Sequence, residues 1–273
     1  MRYKLCAFAD EADSCVDKQI EAMAENGIEY LEIRGVDGRN ISDITESKAR
    51  EVRKMLDDNG IAVWSLGSPY GKIQITDDFA PHLEKFKRGL ELAHILGAER
   101  IRMFSFFVPK GEADNYTDAV LERLRVFLDE ARGSGIVLCH ENEKGIYGDV
   151  ADRCKLLLDE FSDLRAVFDP ANFIQCGQDT IEAWNKLSSY VDYMHIKDAT
   201  QDGSIVPAGK GMGNIPWLLS KYSGQVLTLE PHLSVFKGLD ALENGEKTKI
   251  DEFKYPSARA AFDAAVSALK AII

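Results

Sequence analysis

FAPHLEKFKRGLELAHILGAERIRMF, residues 79–104, holds the fold in miniature. Phe79, Leu83, Phe86, Leu90, Ala93 and Leu96 recur in steps of three and four, the period of a helix with one apolar face. Leu96-Gly97 then closes the pattern, because glycine takes the left-handed conformation that ends helices without steric cost. Residues 100–104 follow as a short apolar run of strand length. Helix, glycine stop and strand together make half of a repeating α/β unit.

The same unit recurs along the whole chain. Strand-like runs lie at 3–9, 30–33, 61–65, 100–104, 136–141, 164–168, 191–196 and 226–230. Helical patterns alternate with them at 17–26, 46–59, 79–96, 117–133, 149–160, 180–188, 215–221 and 257–272. Asn26-Gly27 and Asn59-Gly60 punctuate helix ends, while Thr117-Asp118, Thr180 and Ser257 supply capping oxygens at helix starts. Eight strand–helix units in 273 residues predict a single (β/α)8 barrel over residues 1–273. A doubly wound open sheet would carry a glycine-rich phosphate turn after its first strand, where this chain has Phe8-Ala9-Asp10-Glu11. Residues 234–256, charged and containing Gly238 and Gly245, read as a surface excursion that partly covers the site.

Composition narrows the function classes. The formal net charge of −12 opposes binding to nucleic acid or to anionic membranes, which require a positive field. No apolar run reaches membrane-spanning length, and the opening Met1-Arg2-Tyr3-Lys4-Leu5-Cys6 lacks a signal-peptide core. Cys6, Cys15, Cys139, Cys154 and Cys176 are odd in number and form no CxxC pair, so free thiols in a reducing cytoplasm are expected. The amphipathic helices leave homo-oligomerisation open.

Four strand-like runs end in metal-binding residue types: Glu141, Asp169, His195 and Glu230, separated by 28, 26 and 35 residues. In a parallel barrel such endings point into the C-terminal mouth, where active sites form. A lone charged residue at a strand end usually pairs with a basic neighbour. Four in succession, three carboxylates and an imidazole, predict one divalent metal, with Mn2+, Mg2+, Co2+ and Zn2+ all compatible with the donor set. Alternation along the strand turns His140 away from the site that Glu141 faces. His82 and His94 read as surface or packing residues, and His232 as either pocket or surface.

At Glu141, Asp169-Pro170-Ala171-Asn172, His195-Ile196-Lys197-Asp198 and Glu230-Pro231 the sequence resembles the xylose-isomerase-like barrel superfamily, in its sugar phosphate isomerase/epimerase branch. The resemblance implies one divalent metal on Glu141, Asp169, His195 and Glu230, with the two glutamates serving as acid and base on opposite faces of a sugar. A DNA-cutting branch of that superfamily holds three zinc ions and needs a histidine three residues after the strand-six aspartate. This chain has Asn172 there, which with the acidic charge argues against DNA repair.

Proton removal next to a carbonyl gives an enediolate, stabilised by a Lewis acid. Return of the proton to the opposite face is epimerisation, return to the adjacent carbon is isomerisation, and loss of a β-hydroxyl is dehydration. The expected function is therefore a metal-dependent sugar isomerase or epimerase acting through Glu141 and Glu230. An inosose- or dehydroshikimate-type dehydratase and a non-catalytic sugar-binding barrel are the alternatives. Lys197, Asn172, Lys72, Lys210 and Glu32 are the expected substrate contacts. Lys197 shares the inward face of His195, and Lys72 follows the glycine-containing loop 65–71. Lys210 lies in a glycine-rich loop after strand seven, where barrels often bind phosphate. Glu32 is read either as a substrate contact or as a partner of Arg34.

Overall fold

The structure is a computed structural model that describes residues 2–236, 249–250 and 255–273. Eight parallel strands close into a barrel: β1 (Lys4–Ala7), β2 (Tyr30–Ile33), β3 (Ala62–Gly67), β4 (Arg100–Met103), β5 (Val137–Glu141), β6 (Arg165–Phe168), β7 (Val191–Ile196) and β8 (Val226–Leu229). Each strand neighbours the next in sequence, and β8 pairs with β1 in the register Lys4 to Val226 through Ala7 to Leu229. The connecting helices are α1 (Val16–Glu25), α2 (Glu46–Asp58), α3 (Ala80–Leu96), α4 (Thr117–Ala131), α5 (Ala151–Glu160), α6 (Thr180–Leu187), α7 (Ile215–Lys221) and α8 (Ala258–Lys270).

The helix α3 shows how local sequence sets this arrangement. Its apolar stripe buries Phe86, Leu90, Ala93 and Leu96, and Gly97 closes it at φ 72°. Three aromatic rings continue the packing, with Phe86 and Phe127 at 4.5 Å and Phe106 stacked on Phe127 at 5.9 Å. Burial of this kind contributes about 25 cal/mol for each Å2 of apolar surface and dominates stability.

Inside the barrel a separate apolar layer forms from Cys6, Cys139, Val167, Tyr193 and Val226. Adjacent inward positions on one strand are two residues apart. That same step carries β5 from Cys139 to Glu141, β6 from Val167 to Asp169, and β7 from Tyr193 to His195. The strands therefore present an apolar floor lower down and chemical groups at the mouth.

Among the small elements not expected from the sequence are the strand pair Gly35–Val36 with Arg39–Asn40, the pair Asp198–Ala199 with Ile205–Val206, and the short helix Pro170–Gln175. Most of the excursion expected at 234–256 falls outside the described residues. Among the described residues, no helix is long and apolar enough to cross a membrane.

Candidate metal centre and active site

Glu141 ends β5, Asp169 follows β6, His195 lies on β7 and Glu230 follows β8. One potential ligand atom from each lies within 4.8 Å of all the others, and all four residues are buried. His195 Nδ1 is 2.9 Å from Glu141 Oε1 and 3.3 Å from Glu230 Oε2. Neighbouring ligands of one ion with bonds of about 2.0–2.2 Å have this spacing.

Asp169 prepares its carboxylate in a telling way. As N-cap of the short helix Pro170–Gln175 it accepts the Asn172 amide on Oδ1 at 2.9 Å. Its Oδ2 is buried and accepts no hydrogen bond, although the Lys197 ammonium stands 2.9 Å away. A buried carboxylate oxygen that faces the Lys197 ammonium and three other donors fits a cation ligand. Three hard oxygens and an imidazole suit a divalent ion on these residues.

Surrounding groups fix each donor. Glu32 is fully buried, accepts the Tyr193 hydroxyl on Oε1 at 2.8 Å, and places Oε2 3.1 Å from His195 Nε2. It lies beneath the imidazole and is not at the open mouth, so its observed role is to hold His195 with Nδ1 toward Glu141 and Glu230. Nor does Glu32 pair with Arg34. That guanidinium reaches Asp10 at 2.9 Å, Glu11 at 3.1 Å and Glu230 Oε1 at 3.1 Å, and lies between the rings of Phe8 and Phe236. Arg102, on β4, places Nε 3.2 Å from Glu141 Oε2 and donates from Nη1 to the Ser68 carbonyl at 3.0 Å.

Burial and charge set the protonation of the cluster. Burial disfavours the charged imidazole of His195, but the carboxylates of Glu141 and Glu32 outweigh it and hold its pKa well above the usual value. Burial raises Asp169 to about 7, with Glu230 and Glu141 adding to the rise and Lys197 opposing it. Glu230 is the reverse: burial would raise it, but Lys197, His232 and His195 hold it well below the usual carboxylate range. Burial also lifts Glu11 to about 8 against the pull of Arg34.

The remaining sequence candidates separate clearly. Lys197 joins the cluster, with Nζ 2.9 Å from Asp169 Oδ2 and 3.0 Å from Glu230 Oε2. Asn172 also joins it, donating to the Asn142 carbonyl at 2.9 Å and to Glu141 Oε1 at 3.3 Å, so its amide steadies Glu141. The Lys72 side chain is covered and pairs with Glu143 at 3.2 Å. Lys210 is exposed, and its loop does not form an anion cradle. The amides of Gly209, Gly211 and Gly213 all donate to the Asp198 carboxylate at 2.8–3.0 Å. A Cβ at Gly211 would stand 2.3 Å from the Ala199 carbonyl oxygen, so the loop closes on protein and leaves no room for phosphate.

His232 is buried with φ 45°, and its amide donates to Glu11 Oε2 at 2.6 Å. His140 turns away from the centre and contacts Ser105 Oγ at 2.9 Å, and burial lowers it to about 3. His82 is buried and accepts the Gly71 amide at 2.8 Å, so it braces the loop after β3. Asp10, Glu11 and Arg102 escaped the sequence reading. Arg102 was legible only as part of the alternation Arg100, Arg102, Phe104, which places it on the inward face of β4.

A closed parallel (β/α)8 barrel with buried acidic and imidazole donors at its C-terminal mouth defines the α/β-barrel class. The profile of the Xylose isomerase-like TIM barrel family matches residues 20–231, and the chain belongs to that family. No curated protein matches the chain. The IOLI protein, solved with a binding zinc atom, shares 16% identity over 98% of this chain and 97% of its own, at a TM-score of 0.73. D-psicose 3-epimerase with D-tagatose, from Clostridium cellulolyticum H10, shares 14% identity over 98% and 97%, at a TM-score of 0.72. AsbF from Bacillus anthracis, a probable 3-DHS dehydratase involved in petrobactin synthesis, shares 17% over 99% of each chain, at a TM-score of 0.69. At these identities the likeness is one of fold.

Proposed function

We propose that this chain is a divalent-metal-dependent sugar isomerase or epimerase that moves a proton between Glu141 and Glu230. The observation that carries the reading is the convergence of four buried donors whose ligand atoms all lie within 4.8 Å of one another. A divalent ion on Glu141, Asp169, His195 and Glu230 would polarise a substrate carbonyl and its adjacent hydroxyl.

The protein's own groups supply the rest. Glu141 and Glu230 both reach His195 Nδ1, at 2.9 and 3.3 Å, so a sugar bound over the cluster would meet both carboxylates. One carboxylate removes the proton next to the carbonyl and the other delivers a proton, a general acid–base contribution of roughly 10²–10⁴-fold. Lys197 ties Glu230 to Asp169 and is placed to donate to a substrate oxygen. Glu141, Asp169, His195, Lys197 and Glu230 are all buried, and a surround of low dielectric strengthens each of these contacts. An epimerase of sugars stands among the structures that share the fold, which supports the reading. Five free cysteines suit a reducing compartment, and the acidic charge suits a small-molecule partner over nucleic acid.

The test is solvent exchange. Metal-loaded protein incubated in deuterated water with a panel of ketoses should incorporate deuterium next to the carbonyl, and Glu141→Gln and Glu230→Gln should each lose that exchange by at least 100-fold while staying folded. Retained exchange in both variants would refute the two-glutamate mechanism. The fold similarity to a probable dehydratase keeps water loss as the second reading, and new ultraviolet absorbance in the same incubation would favour it.

A further inference from the structure

A second group of metal-binding side chains stands beside the first. Closure of the barrel sets β1 against β8, so the turn after β1 meets the loop after β8. Glu11 comes from the one, Glu230 and His232 from the other. All three are buried, and one potential ligand atom from each lies within 4.8 Å of the other two. His232 Nε2 is 3.3 Å from Glu11 Oε1 and 3.5 Å from Glu230 Oε1. A tetrahedral ion with bonds of about 2.0–2.1 Å spaces its ligands by roughly 3.3–3.4 Å.

His232 points to an ion more directly. The residue is 7% exposed, and its Nε2 makes no hydrogen bond although two carboxylates flank it. A buried nitrogen without a partner costs free energy, and a cation between it and the carboxylates would remove that cost. The ring is held against Phe236, with centroids 5.3 Å apart. The His232 amide donates to Glu11 Oε2 at 2.6 Å, which leaves Oε1 to face the imidazole.

Arg34 is the neighbouring cation, and it does not saturate these oxygens. Asp10 already engages it through two N–H groups at 2.9 and 3.0 Å. Glu11 Oε1 and Glu230 Oε1 each receive one further contact from it at 3.1 Å. A carboxylate oxygen has two lone-pair directions, so each keeps one for an ion. Carboxylates that bind metals are commonly steadied by such outer donors. Six buried carboxylates, Asp10, Glu11, Glu32, Glu141, Asp169 and Glu230, face three buried cations, Arg34, Arg102 and Lys197. One divalent ion at the first centre therefore leaves the group negative.

Glu230 belongs to both groups through different oxygens. Oε2 lies 3.3 Å from His195 Nδ1 and 3.0 Å from Lys197 Nζ, whereas Oε1 faces His232 and Arg34. One imidazole and two carboxylates, with water in the fourth place, suit Zn2+. Mg2+ demands six ligands in an octahedron, and Mn2+ favours oxygen.

We infer that Glu11, Glu230 and His232 form a second cation site, selective for Zn2+ and joined to the first through Glu230. Resting on the proton transfer proposed above, Zn2+ at this site occupies Glu230 Oε1, the oxygen that an ion on Oε2 leaves free, and so stops Glu230 from carrying a proton. Metal-free protein titrated with Zn2+ against a chromophoric chelator should bind two ions per chain. The second should bind at least tenfold more weakly, because it has three protein donors against four. His232→Gln and Glu11→Gln should each bind one ion, and retention of that tight ion shows that the variant barrel is folded. Diffraction at the zinc edge from wild-type crystals should place the weaker peak about 2.0–2.2 Å from donor atoms of Glu11, Glu230 and His232. A single ion in wild type, a second peak elsewhere, or two ions retained in His232→Gln would overturn the site. Deuterium exchange is read separately, at one and at two equivalents of Zn2+. The second equivalent should lower wild-type exchange tenfold or more, and should leave His232→Gln at its own one-equivalent level. Equal wild-type exchange at both loadings would overturn the inhibition. No exchange at either loading, with both ions in place, would defeat the proton-transfer reading and the inhibition with it, while the second site would stand.

Discussion

Replacing Glu32 by glutamine removes one negative charge from beneath the metal centre while keeping the side chain's size and one of its two acceptor oxygens. Glu32 is fully buried and its two oxygens meet Tyr193 and His195 at 2.8 and 3.1 Å. Hydrogen bonds to a charged partner contribute about 1.5–3 kcal/mol, against about 0.5–1.5 kcal/mol for neutral ones. The loss of charge should weaken the hold on the His195 Nε2 proton by about 1–2 kcal/mol and let the ring leave the orientation that aims Nδ1 at Glu141. Outer-sphere carboxylates on metal-binding histidines are typically worth about 10- to 100-fold in metal affinity, or about 1.4–2.8 kcal/mol. Glu32→Gln should accordingly bind Mn2+ or Zn2+ about 10- to 100-fold more weakly in competition with a chromophoric chelator at fixed pH. Circular dichroism should show an unchanged barrel. An affinity within twofold of wild type, with Glu141→Gln losing the metal in the same assay, would refute the claim that Glu32 positions the imidazole.

Three further outcomes follow from the charge arrangement. His195 is held protonated well above its usual range and Asp169 titrates at about 7, so metal uptake at pH 6.5 should release about one to two protons. Calorimetry in buffers of different ionisation enthalpy reads that number, and a value of zero would contradict it. The stability of metal-free protein should fall as pH rises from about 6.5 to 8. Glu11 keeps its proton up to about 8 in the fold but only to about 4.5 when unfolded, and the raised His195 acts in the same direction. His82, lowered to about 4, and His140, lowered to about 3, act oppositely below pH 6.5, where the unfolded chain takes up protons that the fold refuses. Melting curves should show the loss on the alkaline side shrinking in Glu11→Gln, and an unchanged slope would count against Glu11 as its source. Lys210→Ala should leave exchange activity within twofold, because the side chain is exposed and its loop amides serve Asp198. A tenfold loss would return that loop to the substrate site.

The barrel was legible because its two periods are local. Steps of three and four residues mark α3, and its glycine stop sits where the left-handed residue is needed. The step of two within β5 and β7 carried an apolar floor to Glu141 and His195, which is why strand endings alone pointed to the quartet. What stayed hidden depends on contacts across the barrel. Glu32 and His195 are 163 positions apart, and Arg34 and Glu230 are 196 apart. No spacing rule connects such pairs. Asp10 and Glu11 were read only as the absence of a phosphate turn, yet they fold under Arg34 to brace Glu230 and His232. The Lys210 loop misled for a local reason: a run of glycines lets backbone amides gather, but the sequence does not say that Asp198 is the anion they gather around.

Anomalous diffraction from crystals soaked in Mn2+ addresses the central claim most directly. A single strong peak should lie about 2.0–2.3 Å from donor atoms of Glu141, Asp169, His195 and Glu230. A peak elsewhere with those four side chains unmoved, or no peak at millimolar Mn2+, would contradict the account.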